Sequence, residues 1–208
     1  MLTQPEYAWP GDDSDVALLV NAHPWATLIS DTSAGLVVSH LPVLADPAKE
    51  GQLAIVGHLP VTDAQEHELG DVEAVVVVQG PHGYVSASWY VGGPFVSTWN
   101  FVVAHLHGRP EPLGPEETFD VLARTQDHFE SDRPQPYRLD QVAEYARRLA
   151  PLVVGFRLVP SRVVAKTKLS QDKPASDVAA VLRGLEDPAD VHASPTLAAA
   201  MRSGGITR

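Results

Sequence analysis

Cysteine is absent from this chain of 208 residues. That excludes a disulfide framework, thiolate metal ligands and a cysteine nucleophile. Long apolar runs are missing as well: no stretch approaches the ~20 residues that a membrane-spanning helix needs. The opening MLTQPEYAWPGDD has neither the basic n-region nor the apolar h-region of a signal peptide. Together these absences favour the cytoplasm. Cations are scarce in one half of the chain. Residues 1–108 carry only Lys49 against twelve acids, while residues 109–208 carry fourteen of each sign, so the net charge of −11 sits on the first half. Proteins that grip duplex DNA present a basic face. Direct DNA binding is therefore expected to be weak, and only the second half could supply such a face.

What is present is a hydrophobic content of 44%, enough for a real core, and one organising stretch, Gln79–Gly108. It alternates with period two, is punctuated by Gly and Pro, and holds two of the four tryptophans. The pattern predicts two antiparallel strands, Gly83–Tyr90 and Phe95–His107, joined by Gly92-Gly93-Pro94. Its polar residues Ser86, Ser88, Thr98, Asn100 and His105 are short and held on stiff strands, which suits a flat aromatic ligand. Trp89, Tyr90 and Trp99 offer rings for stacking, with core or dimer packing as the alternative role.

Upstream, an arm over residues 1–13 precedes a helix from Val16 to Ala22, capped by the run Asp12–Asp15. Strands are expected at Trp25–Ser30, Leu36–Pro42, Gln52–His58 and Ala74–Gln79, with a loop over Val43–Glu50 and a loop or short helix over 59–71. Short strands with short connections suggest a barrel and exclude βαβ crossovers. Downstream, Pro115 and two following acids start a helix over 115–130, with Phe119, Leu122, Ala123 and Phe129 on one apolar side. A second helix is expected at Leu139–Leu149. A strand pair, Leu152–Leu158 and Val163–Leu169, flanks Pro160. Helices at Ala175–Leu185 and from Ser194-Pro195 to Met201, stopped by Gly204-Gly205, close the chain. The expected organisation is one domain over 1–208, with a helical insertion at about 115–150 and a helical tail at about 174–203.

The nine histidines invite a metal reading, and His105 and His107 share one strand face. Without HExxH or a spacing that fixes three ligands, no metal site is expected. Haem held by one histidine stays open. Ser88 lacks the G-x-S-x-G elbow of a hydrolase nucleophile. Lys166-Thr167-Lys168-Leu169-Ser170-Gln171 carries more information. On a strand both lysines point to one side. With Ser170 and Gln171 they form a set that can hold a phosphate, although lysines guarding a solvated strand edge fit equally well.

Several segments resemble one family in order. They are His23–Leu28, Ser39–Pro42, Gly57–Leu59, Gln79–Ser86 with Ser88-Trp89-Tyr90, Thr98–Phe101 with His105, Lys166–Gln171 and Val181–Leu185. The chain is similar to the PaiB family, the FMN-binding negative transcriptional regulators. The resemblance implies an α+β fold: an FMN-binding split β-barrel, mostly antiparallel, with peripheral and C-terminal helices. It implies a homodimer with FMN near the subunit interface, and a regulatory role or flavin reductase-like activity on a substrate that the sequence does not name. By motif it implies a cofactor site of Thr27, Ser39, His40, His58, Ser86, Trp89, Thr98, Trp99, Asn100, Lys166, Lys168, Ser170 and Gln171. One departure stands out. Where the family continues Gly-His-Leu with Ala-Arg-Ala-Asn, this chain reads Pro60-Val61-Thr62-Asp63. Without that arginine, FMN is expected to bind weakly or to be lost on purification, and a flavin-free or haem-binding barrel is the alternative.

Overall fold

The computed structural model describes residues 4–47 and 52–205. Lys49 and Glu50, and the first residues of the expected arm, lie outside the described residues. The chain forms two compact units and passes between them four times. One comprises Met1–Ala22, Gln79–Ala104 and Val164–Arg208; the other comprises His23–Val78 and His105–Val163.

Eight strands follow the order β6-β7-β3-β2-β1-β4-β5-β8. They are β1 (Trp25–Thr32), β2 (Gly35–Ala45), β3 (Ile55–Pro60), β4 (Ala74–Val85), β5 (Thr98–Gly108), β6 (Glu111–Pro112), β7 (Val153–Leu158) and β8 (Arg162–Lys168). The helices are α1 (Asp13–Ala22), α2 (Val61–Glu66), α3 (Pro115–Glu130), α4 (Ala143–Leu149), α5 (Ala175–Glu186) and α6 (Pro195–Ser203).

In the second unit β1 pairs antiparallel with β2 through Thr27↔His40 and Ile29↔Val38, and with β4 through Thr27↔Val77. β3 pairs with β2 and β7. Alternation sends Ala26, Leu28 and Ser30 inward. Leu28, Ile55, Val76, Leu106, Phe156 and Leu158 are fully buried. Val121 of α3 and Leu113 just before that helix cluster with Leu44 and Val56. In the first unit β5 alternates cleanly, burying Asn100, Val102 and Ala104. Val16, Leu19 and Val20 of α1, Val181 and Leu185 of α5 and Leu197 of α6 are buried there as well.

Three expectations are corrected. The strand predicted to run to Tyr90 stops at Val85, and Ala87–Trp89 is a 3-10 turn. Side chains take the backbone donors that a continued hairpin would use. Ser86 Oγ accepts from Ser88 N, and Asp177 Oδ1 accepts from Val91 N at 2.7 Å and Gly92 N at 3.0 Å. The predicted pair around Pro160 does not form: β7 pairs with β3 and β6, while β8 neighbours β5. Helix α3 spans the predicted 115–130, but it buries Thr118 and Val121 and leaves Phe129 exposed. Thr118 is inside because its hydroxyl accepts from Gly155 N at 3.0 Å and so joins helix to strand.

Candidate functional site

Nine of the thirteen candidate residues lie in the first unit, and its core is a meeting of segments about seventy positions apart. Asn100 is fully buried and Ser170 is 3% exposed. The Asn100 amide donates to Ser170 Oγ at 2.9 Å, and Ser170 Oγ lies 3.3 Å from Asn100 Oδ1. Ser170 adopts φ 62°, a left-handed conformation that costs a non-glycine residue about 1 kcal/mol or more. Gln171 holds that turn by a double clamp: Oε1 accepts from Leu169 N at 2.6 Å and Nε2 donates to Thr167 O at 2.7 Å. Gln171 thus positions Ser170 from the outside.

The lysine parity read from sequence holds, for both ammonium groups lie over the Tyr7 ring, Lys166 at 5.5 Å and Lys168 at 5.8 Å. Lys166 Nζ donates to Gln4 Oε1 at 2.6 Å, and its backbone bridges Ala8. Lys168 Nζ donates to Thr98 Oγ1 at 2.5 Å and to the Trp99 carbonyl at 2.7 Å. Burial pulls the Lys168 pKa below its ordinary value; Lys173 and Lys166 act the same way, against Asp172. Around this point opens a cavity of about 300 Å³, walled by Tyr7, Tyr90 and Phe95 and lined by Thr98, Asn100, Lys168, Ser170, Asp172 and Lys173. The Tyr90 hydroxyl is buried beside Ser170 without a hydrogen bond of regular geometry. Burial raises its pKa, so it is a neutral donor. Burial by itself would raise the Asp172 carboxyl, but its bond to Lys173 at 2.7 Å, the Lys173 charge, a backbone bond and the Lys168 charge together hold it below the usual range.

Strand alternation puts Trp99 on the opposite face from Thr98 and Asn100. It is 56% exposed. His82 stacks beside it at 6.4 Å with 26° between planes, and Tyr84 meets its edge at 6.4 Å. Trp89 has a different place: its indole N–H donates to Asp190 Oδ2 at 3.0 Å, and its ring lies so close to Gly184 that a Cβ there would come within 2.5 Å. Ser86 is engaged with Ser88, oxygen to oxygen, at 2.7 Å.

The other four candidates lie in the second unit. Thr27 Oγ1 and His40 Nδ1 are 3.0 Å apart across β1 and β2. Ser39 Oγ lies 2.9 Å from Nε2 of His67, whose Nδ1 is 2.8 Å from Ser30 Oγ. His58 keeps a buried Nδ1 without a partner. Burial lowers the pKa of both His58 and His67, favouring neutral rings. Sequence reasoning missed His67, Tyr7, Lys173 and the free hydroxyl of Tyr90. Nothing local marks His67 or Tyr7, because their burial comes from packing. Among the described residues no three His, Asp or Glu side chains are grouped to hold a metal ion.

Comparison with known proteins places this geometry in context. Residues 1–162 match the family described as "Putative FMN-binding domain". The protease synthase and sporulation protein PAI 2 of Bacillus subtilis (strain 168) is 26% identical over 191 residues, covering 91% of each chain. Among solved structures, an FAD and heme binding protein from Mycobacterium smegmatis is similar with a TM-score of 0.57 at 18% identity, covering 81% of this chain and 78% of its own. The flavocytochrome Anf3 from Azotobacter vinelandii is similar with a TM-score of 0.56 at 16% identity, covering 81% and 73%. Likeness at this identity shows the fold, an α+β split β-barrel.

Proposed function

Because this chain belongs to the FMN-binding domain family, which the sequence resembles as the PaiB family, we propose that it is a homodimeric flavin-binding protein whose first unit receives the FMN phosphate and offers a surface for the ring. One observation carries the reading: the segments Thr98–Asn100, Tyr90 and Lys168–Ser170 converge on one cavity that holds a half-buried cation and a buried tyrosine hydroxyl without a regular hydrogen bond. The groups fit a phosphate. Lys168 supplies charge, and Thr98, Ser170 and Tyr90 supply hydroxyl donors. Lys166 adds a second cation on the same side. Asp172 counts against a dianion, but its bond to Lys173 offsets it. A volume of about 300 Å³ is at the lower end for a ligand pocket, roughly 300–1,000 Å³. It suits the phosphate end, with the ring lying outside the cavity.

When bound, the flavin would supply hydride or electron transfer. The chain's own part is to hold the phosphate by Lys168 and to position Ser170 through Gln171. Flavin reductase-like chemistry fits this better than direct DNA reading. The charge argues against a DNA-binding face, and among the described residues no two helices are joined by the three- to four-residue turn of a helix-turn-helix.

Homodimerisation is supported by the outer face of β1 and β2. There Trp25, Leu36 and Val38 are 66%, 72% and 54% exposed, beside Thr27 and His40. Such an apolar sheet face belongs at an interface. In the first unit the exposed Trp99 is a separate candidate for a dimer contact; Trp89, packed on α5, is a poorer one. Light scattering should give a dimer for the wild type and a monomer for the double variant Leu36→Lys, Val38→Lys.

The absorption spectrum of the purified protein tests the cofactor, with flavin bands supporting the reading and a Soret band giving the site to haem. Fluorescence titration should then show FMN binding more tightly than riboflavin, which lacks the phosphate. Equal affinities would remove the phosphate role.

A further inference from the structure

A second hollow lies in the second unit, and none of the thirteen candidate cofactor residues lines it. It measures about 740 Å³ and opens between α2, the start of α3, the end of α4 and β7. Its walls are apolar: Val61 and Ala64 from α2, Leu113 and Phe119 beside and on α3, Ala150 just after α4, and Val153 at the start of β7.

The polar groups at its edge mostly satisfy one another. Arg147 lies over the face of Phe119, 4.3 Å from the ring centroid, and donates to Glu116 at 3.3 and 3.4 Å. Glu68 takes the backbone N–H and the hydroxyl of Ser33. Thr118 is spent between the Leu113 carbonyl and Gly155 N–H. Gln65 and Asp71 are exposed at the rim, where water serves them. A charged ligand would have to break these pairs and would meet both signs at the mouth. An uncharged apolar one would displace water from the walls and leave every pair intact.

We infer that this hollow is a binding site for an uncharged, largely apolar, ring-bearing small molecule, separate from the flavin. Its size falls within the range of roughly 300–1,000 Å³ typical of sites for such molecules. Phe119, held flat by Arg147, supplies the ring contact.

Two probes with the same rings test the charge argument. N-phenyl-1-naphthylamine is neutral, and 8-anilinonaphthalene-1-sulfonate carries an anionic sulfonate. The neutral probe should bind with one site per chain and more tightly than the anion, by about tenfold or more. Filling the hollow with Val61→Trp, a partly exposed position, or with Ala150→Trp should weaken the neutral probe by at least about tenfold. Each variant's thermal unfolding should match the wild type, and either folded variant suffices. Saturating FMN should leave the probe in place. Displacement by FMN would assign the hollow to the flavin and overturn the inference. Equal or tighter binding of the anion, indifference to both filling variants, or loss of the site as protein concentration rises, which would give it to a second copy, would each overturn it too. Apart from displacement by FMN, none of these outcomes bears on whether FMN binds at Lys168.

Discussion

Two charges in this molecule, one buried and one half-buried, have opposite surroundings. Asp46, in the second unit, has a side chain with no exposure and accepts from Arg124 Nη1 at 3.1 Å and Arg157 Nε at 2.6 Å. Arg124 also donates to the Ala45 carbonyl, and Arg157 reaches Glu117. Lys168, in the first unit, meets two neutral oxygens, those of Thr98 and the Trp99 carbonyl. Asp172, which feels its charge, bonds Lys173 instead. A buried carboxylate between two guanidinium groups is electrostatically complete, and it ties α3 and β7 to the end of β2. A half-buried ammonium with neutral acceptors is not complete, and an incoming anion would improve its surroundings. The pKa directions agree. The bond to Asp46 raises Arg157, while burial lowers Lys168. One cluster is there for stability; the other is poised for a ligand.

The comparison breaks first at Asp46. Asp46→Ala would leave two arginines facing each other and should cost about 3–5 kcal/mol in urea unfolding, without changing FMN affinity per folded molecule. A loss under about 1 kcal/mol would place this pair among weak surface bridges. Lys168→Ala should do the reverse. FMN affinity should fall by roughly one to two decades, the size of one charge-assisted contact, with the unfolding midpoint nearly unchanged. Lys166→Ala, whose ammonium is shared with Gln4, should cost less, and riboflavin should be indifferent to both. Tight FMN binding that ignores both lysines would end the distinction.

Acid offers a gentler test. His58 and His67 have pKa values held below 6.5 by burial. The unfolded chain therefore binds more protons than the folded one once pH drops to that value. Stability is full above about pH 6.5 and declines as pH falls below it. Thermal midpoints between pH 8 and 5 should show this decline, and His67→Gln should flatten it in part. A midpoint rising toward pH 5 would contradict neutral buried rings. The smallest effect is expected at Val61→Arg, which restores the arginine of the resembling family. FMN affinity should rise only a few-fold. If that arginine instead leaves FMN unchanged and only expels the neutral naphthylamine probe, Val61 serves the apolar hollow alone.

Much of this was legible before any coordinates. Pro115 with two acids marks the start of α3, Gly204 with φ 71° ends α6, and the parity of Lys166 and Lys168 follows from the strand period. The same local rules failed where distant groups intervened. Ser86, Ala87 and Ser88 read as strand, yet Ser86 and Asp177, the latter more than eighty positions away, take the backbone donors. Phe129 read as core, yet α3 turns Thr118 and Val121 inward because the Gly155 N–H donates to the Thr118 hydroxyl.

The sequence by itself determined the periodicities, the helix ends, the family and the absence of thiol chemistry, because each depends on residue type and near neighbours. Only the tertiary structure decided that Ser170 meets Asn100, that His67 lies buried between two serines, that β7 and β8 take different partners, and that a hollow opens beside α3. Those facts depend on which backbone donors and apolar faces remain unpaired once the whole chain is folded, and no local pattern encodes that remainder.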